Sequence, residues 1–158
     1  MSMNPASRAR LGLIAVLVVL LGGMAIVIGS AMTTQRWAAE PGRPAADFTL
    51  PTGDGKALSL NSFHGRPLAL VVMPVDYALD APTRLALEEL TRRANATGQA
   101  VLTVSPEPIH TAPTDPMITL VDRAGNVAGR YLVLDRPTVF LISAEGKIEK
   151  RVSLDQGI

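Results

Sequence analysis

The chain falls into two parts by its pattern of apolar and polar positions. From Leu11 to Met32 runs an uninterrupted stretch of 22 residues without a charge. At 1.5 Å per residue, that is long enough to cross a hydrocarbon core as a single helix. After it, apolar residues come in short runs broken by Gly and Pro, the pattern of a compact domain. Ala38 to Ala46, with two prolines and a glycine, reads as a semi-stiff linker. Asp47–Leu50 and Leu58–Leu60 alternate as short strands around a turn at Thr52–Lys56. Leu68 to Met73 is a continuous apolar run between Gly65-Arg66-Pro67 and Pro74, the signature of a central strand buried on both faces.

A helix is predicted from Pro82 to Ala96. Proline suits a first turn, where a missing N–H costs nothing. Asp80 is the candidate N-cap and Gly98 the candidate C-cap. Leu85, Leu87, Leu90 and Ala94 supply the apolar face, and Glu88/Arg92 and Glu89/Arg93 are i,i+4 pairs on a solvated face. Val101–Pro106 reads as the next strand. Glu107 to Pro116 contains three prolines and is not an ordinary helix. A short strand from Ile118, a turn at Arg123–Asn126, a short helix around Val127–Tyr131, and a hairpin of Thr138–Ile142 and Lys147–Leu154 complete the pattern.

Charge orients the first part. Arg8 and Arg10 precede the apolar run, so the positive-inside rule places residues 1–10 in the cytoplasm and the domain on the outer face. Trp37 suits an interfacial anchor, and Gly22, Gly23, Gly29 and Ala31 offer small surfaces to another membrane helix. The alternative is a cleaved signal peptide ending near Gly29-Ser30-Ala31, but the run exceeds an ordinary signal h-region. Setting Arg8 and Arg10 apart from the 15 Lys and Arg leaves 13 against 14 Asp and Glu, so nothing here points to nucleic acid.

The sequence has no cysteine. Disulfides, thiol catalysis and thiolate metal sites are thereby excluded. His64 and His110, with Met73 and Met117 as soft donors, do not form a set of three placed ligands, so neither a metal nor a cofactor is expected. No phosphate loop and no Ser/His/Asp set stands out.

Several segments carry a resemblance. Gly42-x-x-Ala45-Ala46-Asp47-Phe48-x-Leu50, then Leu60-x-x-Phe63-x-Gly65-Arg66, resembles the N-terminal signature of the peroxiredoxin (AhpC/TSA) and TlpA/ResA-like families of the thioredoxin superfamily. Ala46 replaces the usual proline there. Pro74-Val75-Asp76-Tyr77-Ala78-Leu79-Asp80-Ala81-Pro82-Thr83-Arg84 resembles the peroxiredoxin active-site segment. In that register Ala81 stands where the peroxidatic cysteine would be, Ala78 replaces a threonine and Arg84 a glutamate. In a TlpA-like register Tyr77 and Asp80 stand at the two cysteine positions. Ile118–Tyr131 and Pro137–Ile148 resemble later segments, and Pro137 matches the superfamily's cis-proline, so a cis Arg136–Pro137 bond is implied. Arg136 is read as a surface arginine. A Sco-type copper chaperone shares the fold, but holds metal through two cysteines and a histidine.

The resemblance implies an α/β thioredoxin-like, peroxiredoxin-type sandwich over residues 47–158, behind a linker (33–46) and a single N-terminal transmembrane helix (11–32). Its site positions Tyr77, Ala78, Asp80, Ala81 and Pro137 are degenerate, with no thiol chemistry. The expected role is a non-catalytic accessory or scaffold subunit of a respiratory or photosynthetic electron-transfer complex in a bacterial cytoplasmic membrane, with its domain periplasmic. Its expected partners are other subunits, met through the membrane helix and an apolar sheet face left open by the missing helices, and the lipid bilayer. The alternative is a non-redox binding or chaperone module in cytochrome or oxidase maturation, using a groove beside Pro137. An enzymatic role would need cysteine-independent chemistry at Tyr77, Asp80 or Arg136.

Overall fold

The computed structural model describes residues 39–109 and 117–156. The expected membrane span at 11–32, its flanking arginines, Trp37 and His110 lie outside the described residues. Among the described residues no helix is long and apolar enough to cross a membrane.

A five-stranded mixed sheet forms the centre, in the order β5-β4-β3-β6-β7. β3 (Leu68–Val72), β4 (Ala100–Ser105) and β5 (Met117–Val121) run parallel. β6 (Thr138–Ile142) and β7 (Ile148–Ser153) are added antiparallel on the other side of β3. All five residues of β3 are buried, as its unbroken apolar run requires. Strand periodicity then divides the core. Leu68, Leu70 and Val72 face one layer with Leu102, Val104 and Phe140, whereas Ala69 and Val71 face the other with Val101 and Val139.

The first layer is closed by a hairpin, a 3₁₀ turn and a short helix. β1 (Thr49–Pro51) pairs with β2 (Ala57–Ser59), and the 3₁₀ turn spans Leu60–Phe63. Asp47 ties the start to this turn, accepting from Ser59 Oγ at 3.0 Å and from Asn61 N and Nδ2 at 3.2 and 2.8 Å. Phe48 then enters the core edge-on to Tyr131, which in turn meets Phe140. The Tyr131 hydroxyl donates to the Ala46 carbonyl at 2.7 Å, and burial raises its pKa. Helix α2 (Asn126–Arg130) is capped by the buried carboxylate of Asp122, which accepts from the backbone N–H groups of Asn126, Val127 and Ala128. Gly42 to Ala45, within the segment read as linker, is hydrogen-bonded to the β6–β7 hairpin through Gly146 and Ile148.

The second layer is helix α1 (Ala81–Ala96), which starts one residue before the expected Pro82 and ends at the expected Ala96. Leu87, Leu90 and Ala94 are buried, as read from the sequence, but Leu85 is 65% exposed and Thr83 and Thr91 point inward instead. Thr91 is tolerated there because its hydroxyl donates to the Leu87 carbonyl at 2.8 Å. Of the expected ion pairs, Glu89 with Arg93 forms as read, while Arg92 turns to Glu89 instead of Glu88. Glu89 takes both Arg92 and Arg93, at 2.7 and 2.6 Å, because i,i+3 and i,i+4 neighbours share one face.

The open apolar sheet face expected from the missing helices is not found among the described residues. α1, with Leu154 of a terminal 3₁₀ turn (Leu154–Gln156), covers one face, and the hairpin, the first 3₁₀ turn and α2 cover the other. The large apolar side chains that remain exposed are Val75, Leu85 and Leu134, none of them on the sheet.

Candidate functional site

The β3–α1 junction is built as the sequence reading anticipates. Pro74 ends the strand, and a turn follows in which Tyr77 N donates to the Pro74 carbonyl at 3.3 Å. Asp80 adopts an extended backbone (φ −82°, ψ 169°) and accepts from Thr83 N at 2.9 Å, an N-cap that satisfies one of the free donors of the first turn. The Thr83 side chain, then its backbone N–H, holds the Asp80 carboxyl below the usual carboxylate range. Pro82 sits in that first turn. Buried Thr83 also meets the Tyr77 hydroxyl at 2.7 Å, so the loop is closed onto the helix it precedes.

A second brace comes from across the sheet. The turn after β5 brings Gly125, at φ +67°, under Val75. A Cβ on Gly125 would lie 2.1 Å from Val75 Cγ2, a space only glycine leaves open. Sequence reading placed a turn at Gly125 but had no means to name its partner.

The junction flanks a cleft of about 630 Å³ at the C-terminal ends of β3 and β4. Its walls are Met73 and Val75–Leu79 on one side, Ser105–Ile109 on the other, and Arg84 from α1. Of the site positions that the resemblance implies, Tyr77 and Ala78 line this cleft, while Asp80 and Ala81 are not among its walls. Ala81 is exposed as the first residue of α1. Ala78 is likewise exposed.

Pro137 stands apart. It is buried and does not line the cleft. No cis peptide bond occurs among the described residues, so the Arg136–Pro137 bond is trans, contrary to the resemblance. The trans form is favoured by about 0.5–1 kcal/mol at an X–Pro bond, and that preference prevails here. The Pro137 carbonyl accepts from Leu154 N at 2.9 Å and the Arg136 carbonyl from Thr138 Oγ1 at 3.1 Å. Arg136 pairs with Asp155 at 3.2 Å on the surface, as a surface arginine should, and is not among the cleft walls.

Among the described residues no group of three or more His, Asp or Glu side chains could hold a metal ion. His64 packs its ring against Gly146, and Met73 and Met117 are buried in the α1-side core.

The fold defines a thioredoxin-like domain, with Ala81 as the first residue of the helix that follows β3. The chain belongs to the AhpC/TSA family, whose model matches residues 41–151. No curated protein sequence matches it. Among solved structures it is similar to peroxidoxin BcpB from Mycobacterium tuberculosis, with 20% identity and a TM-score of 0.59 over 73% of this chain and 89% of that one. It is similar also to the Chlorobium tepidum protein assigned as thiol:disulfide interchange protein DsbE, with 21% identity and a TM-score of 0.56 over 72% and 85%. A third likeness is to BsSco, a member of the Sco family of cytochrome c oxidase assembly proteins, with 16% identity and a TM-score of 0.56 over 74% and 87%. At these identities the likeness is one of fold. With no cysteine in the chain, thiol-redox catalysis is absent from it.

Proposed function

We propose that this chain is a non-catalytic accessory subunit of a larger membrane complex in respiratory or photosynthetic electron transfer, anchored by residues 11–32 with its domain on the outer face. One observation carries the reading: the β3–α1 junction is closely braced, while Ala81, the position that the resemblance assigns to the reactive residue, carries only a methyl group. Asp80 caps, Thr83 and Tyr77 lock the loop, and Gly125 admits Val75, yet Ala81 has neither a lone pair nor a proton to offer. A fold maintained without its chemistry is suited to binding. The uncharged run of 22 residues behind Arg8 and Arg10 supports the anchor and its direction.

The test is purification of the tagged full-length chain in mild detergent, sizing on a native gel and identification of co-migrating chains by mass spectrometry. A stoichiometric complex is expected, and a lone monomer overturns the reading. Tyr77→Phe with Asp80→Asn should leave the turnover of that complex unchanged. A lost turnover would assign the junction a catalytic part.

A second reading is a non-redox binding or chaperone module in cytochrome or oxidase maturation. The open cleft beside Tyr77 and Ala78 favours it, as does the fold shared with BsSco. It differs in expecting transient association, so that client chains appear only in trace amounts.

A further inference from the structure

The segment read as a linker is part of the domain from Ala39 onward. Ala39 is fully buried in the core. Gly42 N donates to the Ile148 carbonyl at 2.7 Å, Ile148 N to the Arg43 carbonyl at 2.9 Å, and Ala45 N to the Gly146 carbonyl at 2.9 Å. The Tyr131 hydroxyl holds the Ala46 carbonyl in turn. These bonds fasten the start of the domain to the β6–β7 turn. That turn lies at the end of the sheet where β3 begins, since Leu68 is in register with Ile142. Six residues, 33–38, separate Ala39 from the uncharged run at 11–32. The seven Cα steps from residue 32 to residue 39 reach at most about 25 Å. With 11–32 in a bilayer, this end of the sheet is held close to the lipid surface.

The two ends of the sheet differ in charge. At the tethered end, Gly65 N donates to the Ala144 carbonyl at 2.8 Å, and a notch lined in part by His64, Arg66 and Gly146 lies between the turn before β3 and the turn after β6. Pro44 bridges to Lys147. Arg43, Arg66 and Lys147 therefore share this end, all exposed, with Glu40 and Glu145 as the acids beside them. At the far end the balance is reversed. Asp76, Asp80, Glu107, Asp135 and Asp155 are exposed there, against Arg84, Arg123 and Arg136. A charge distribution of this kind orients a molecule near a charged surface even where its net charge is small.

We propose that the end carrying Arg43, Arg66 and Lys147 rests on the anionic phospholipid headgroups of the membrane that holds residues 11–32, with the cleft end turned away from the bilayer. Arg and Lys side chains near an anionic lipid surface are drawn to it, and guanidinium forks match the geometry of phosphate oxygens. The attraction fades within a Debye length, about 8–10 Å at ordinary salt, so it acts only on a face kept near the surface, as the short tether keeps this one. The acids of the far end are repelled by the same headgroups. A tether alone leaves the domain free to tilt, and charge complementarity at this end selects one orientation. The proposal rests on the reading of residues 11–32 as an anchor, and it adds which face of the domain meets the membrane.

The chain has no cysteine, so a single introduced one is labelled without background. A fluorophore is placed at exposed Ser62→Cys, in the 3₁₀ turn of the tethered end, or at exposed Leu134→Cys, at the far end. Each full-length protein is assembled into nanodiscs with nitroxide-headgroup lipid, in phosphatidylcholine alone or with phosphatidylglycerol added. In the anionic discs, quenching at Ser62→Cys should exceed that at Leu134→Cys by about twofold or more, and should fall toward the neutral-disc value as added salt shortens the Debye length. Arg66→Glu with Lys147→Glu should abolish the effect of phosphatidylglycerol, whereas Arg123→Glu, at the far end, should leave it unchanged. The salt series reads the same contact in a chain that keeps all its cations. Equal quenching at the two ends, or quenching indifferent to phosphatidylglycerol, salt and the paired substitution, overturns the proposal and leaves the anchored accessory role standing. A chain that stays out of the nanodiscs overturns both. Lipid-dependent quenching together with a lone monomer in detergent keeps the docking face and removes the subunit role.

Discussion

The phenolic oxygen of Tyr77 lies 2.7 Å from the hydroxyl of buried Thr83, six residues later, and joins the loop after β3 to the first turn of α1. Removing the phenol as Tyr77→Phe should cost about 1 kcal/mol, the net worth of such a bond in a partly buried place. Thr83→Val should cost a similar amount, and the double variant less than the sum of the two. Urea unfolding midpoints at constant slope measure all three, and full additivity would show that the two hydroxyls do not cooperate.

The cap on the same turn makes α1 sensitive to acid. Hydrogen bonding from Thr83 holds the Asp80 carboxyl of the folded chain below the ordinary carboxylate range. A carboxyl with a depressed folded pKa adds stability above its unfolded pKa and loses it as pH falls through the folded value. The chain should therefore lose stability progressively below pH 3.8. Asp80→Asn keeps an acceptor for Thr83 N but cannot titrate, so its stability should fall less steeply over the same range. Thermal midpoints of both proteins from neutral pH downward show the difference, and parallel curves would remove Asp80 from the acid response.

Gly125 and Val75 form a contact that admits no further atom. Gly125→Ala adds a methyl 2.1 Å from Val75 Cγ2 at a backbone angle of φ +67°. Overpacking and left-handed strain together should cost about 2–4 kcal/mol. Val75→Ala in the same chain should restore the part due to the clash and leave the part due to strain. A pair of variants whose costs simply add would show that the β3–α1 loop does not rest on the β5–α2 turn.

Restoring a thiol tests whether the junction is still built for one. In Ala81→Cys the sulfur would sit at the first residue of α1, where free N–H groups and the helix dipole favour a thiolate. Its pKa should fall below the ordinary value of about 8.5, and Asp80→Asn in the same chain should lower it further by removing a neighbouring negative charge. The pH dependence of alkylation by iodoacetamide reads both values. An unshifted thiol in both proteins would mean that the helix end no longer acts on this position.

The sequence determined what lies within single elements. The unbroken apolar run of β3, the Asp80 cap with Pro82 behind it, the turns at Gly55, Gly98 and Gly125, and the order of strands and helices follow from local periodicity and from residues that permit only certain backbone angles. The absence of cysteine settled the lack of thiol chemistry before any fold was known. Tertiary structure decided which residues meet. It turned Leu85 outward and Thr83 inward, because the inward positions of α1 are set by where the sheet lies and not by hydrophobicity alone. It left the Arg136–Pro137 bond trans, covered both sheet faces among the described residues, and set the cleft beside Ala78 and away from Pro137. Contacts such as Tyr131 with Ala46, or Val75 with Gly125, join residues far apart in the chain. No local pattern encodes such pairs, because their energy depends on how the layers pack once the strands have assembled.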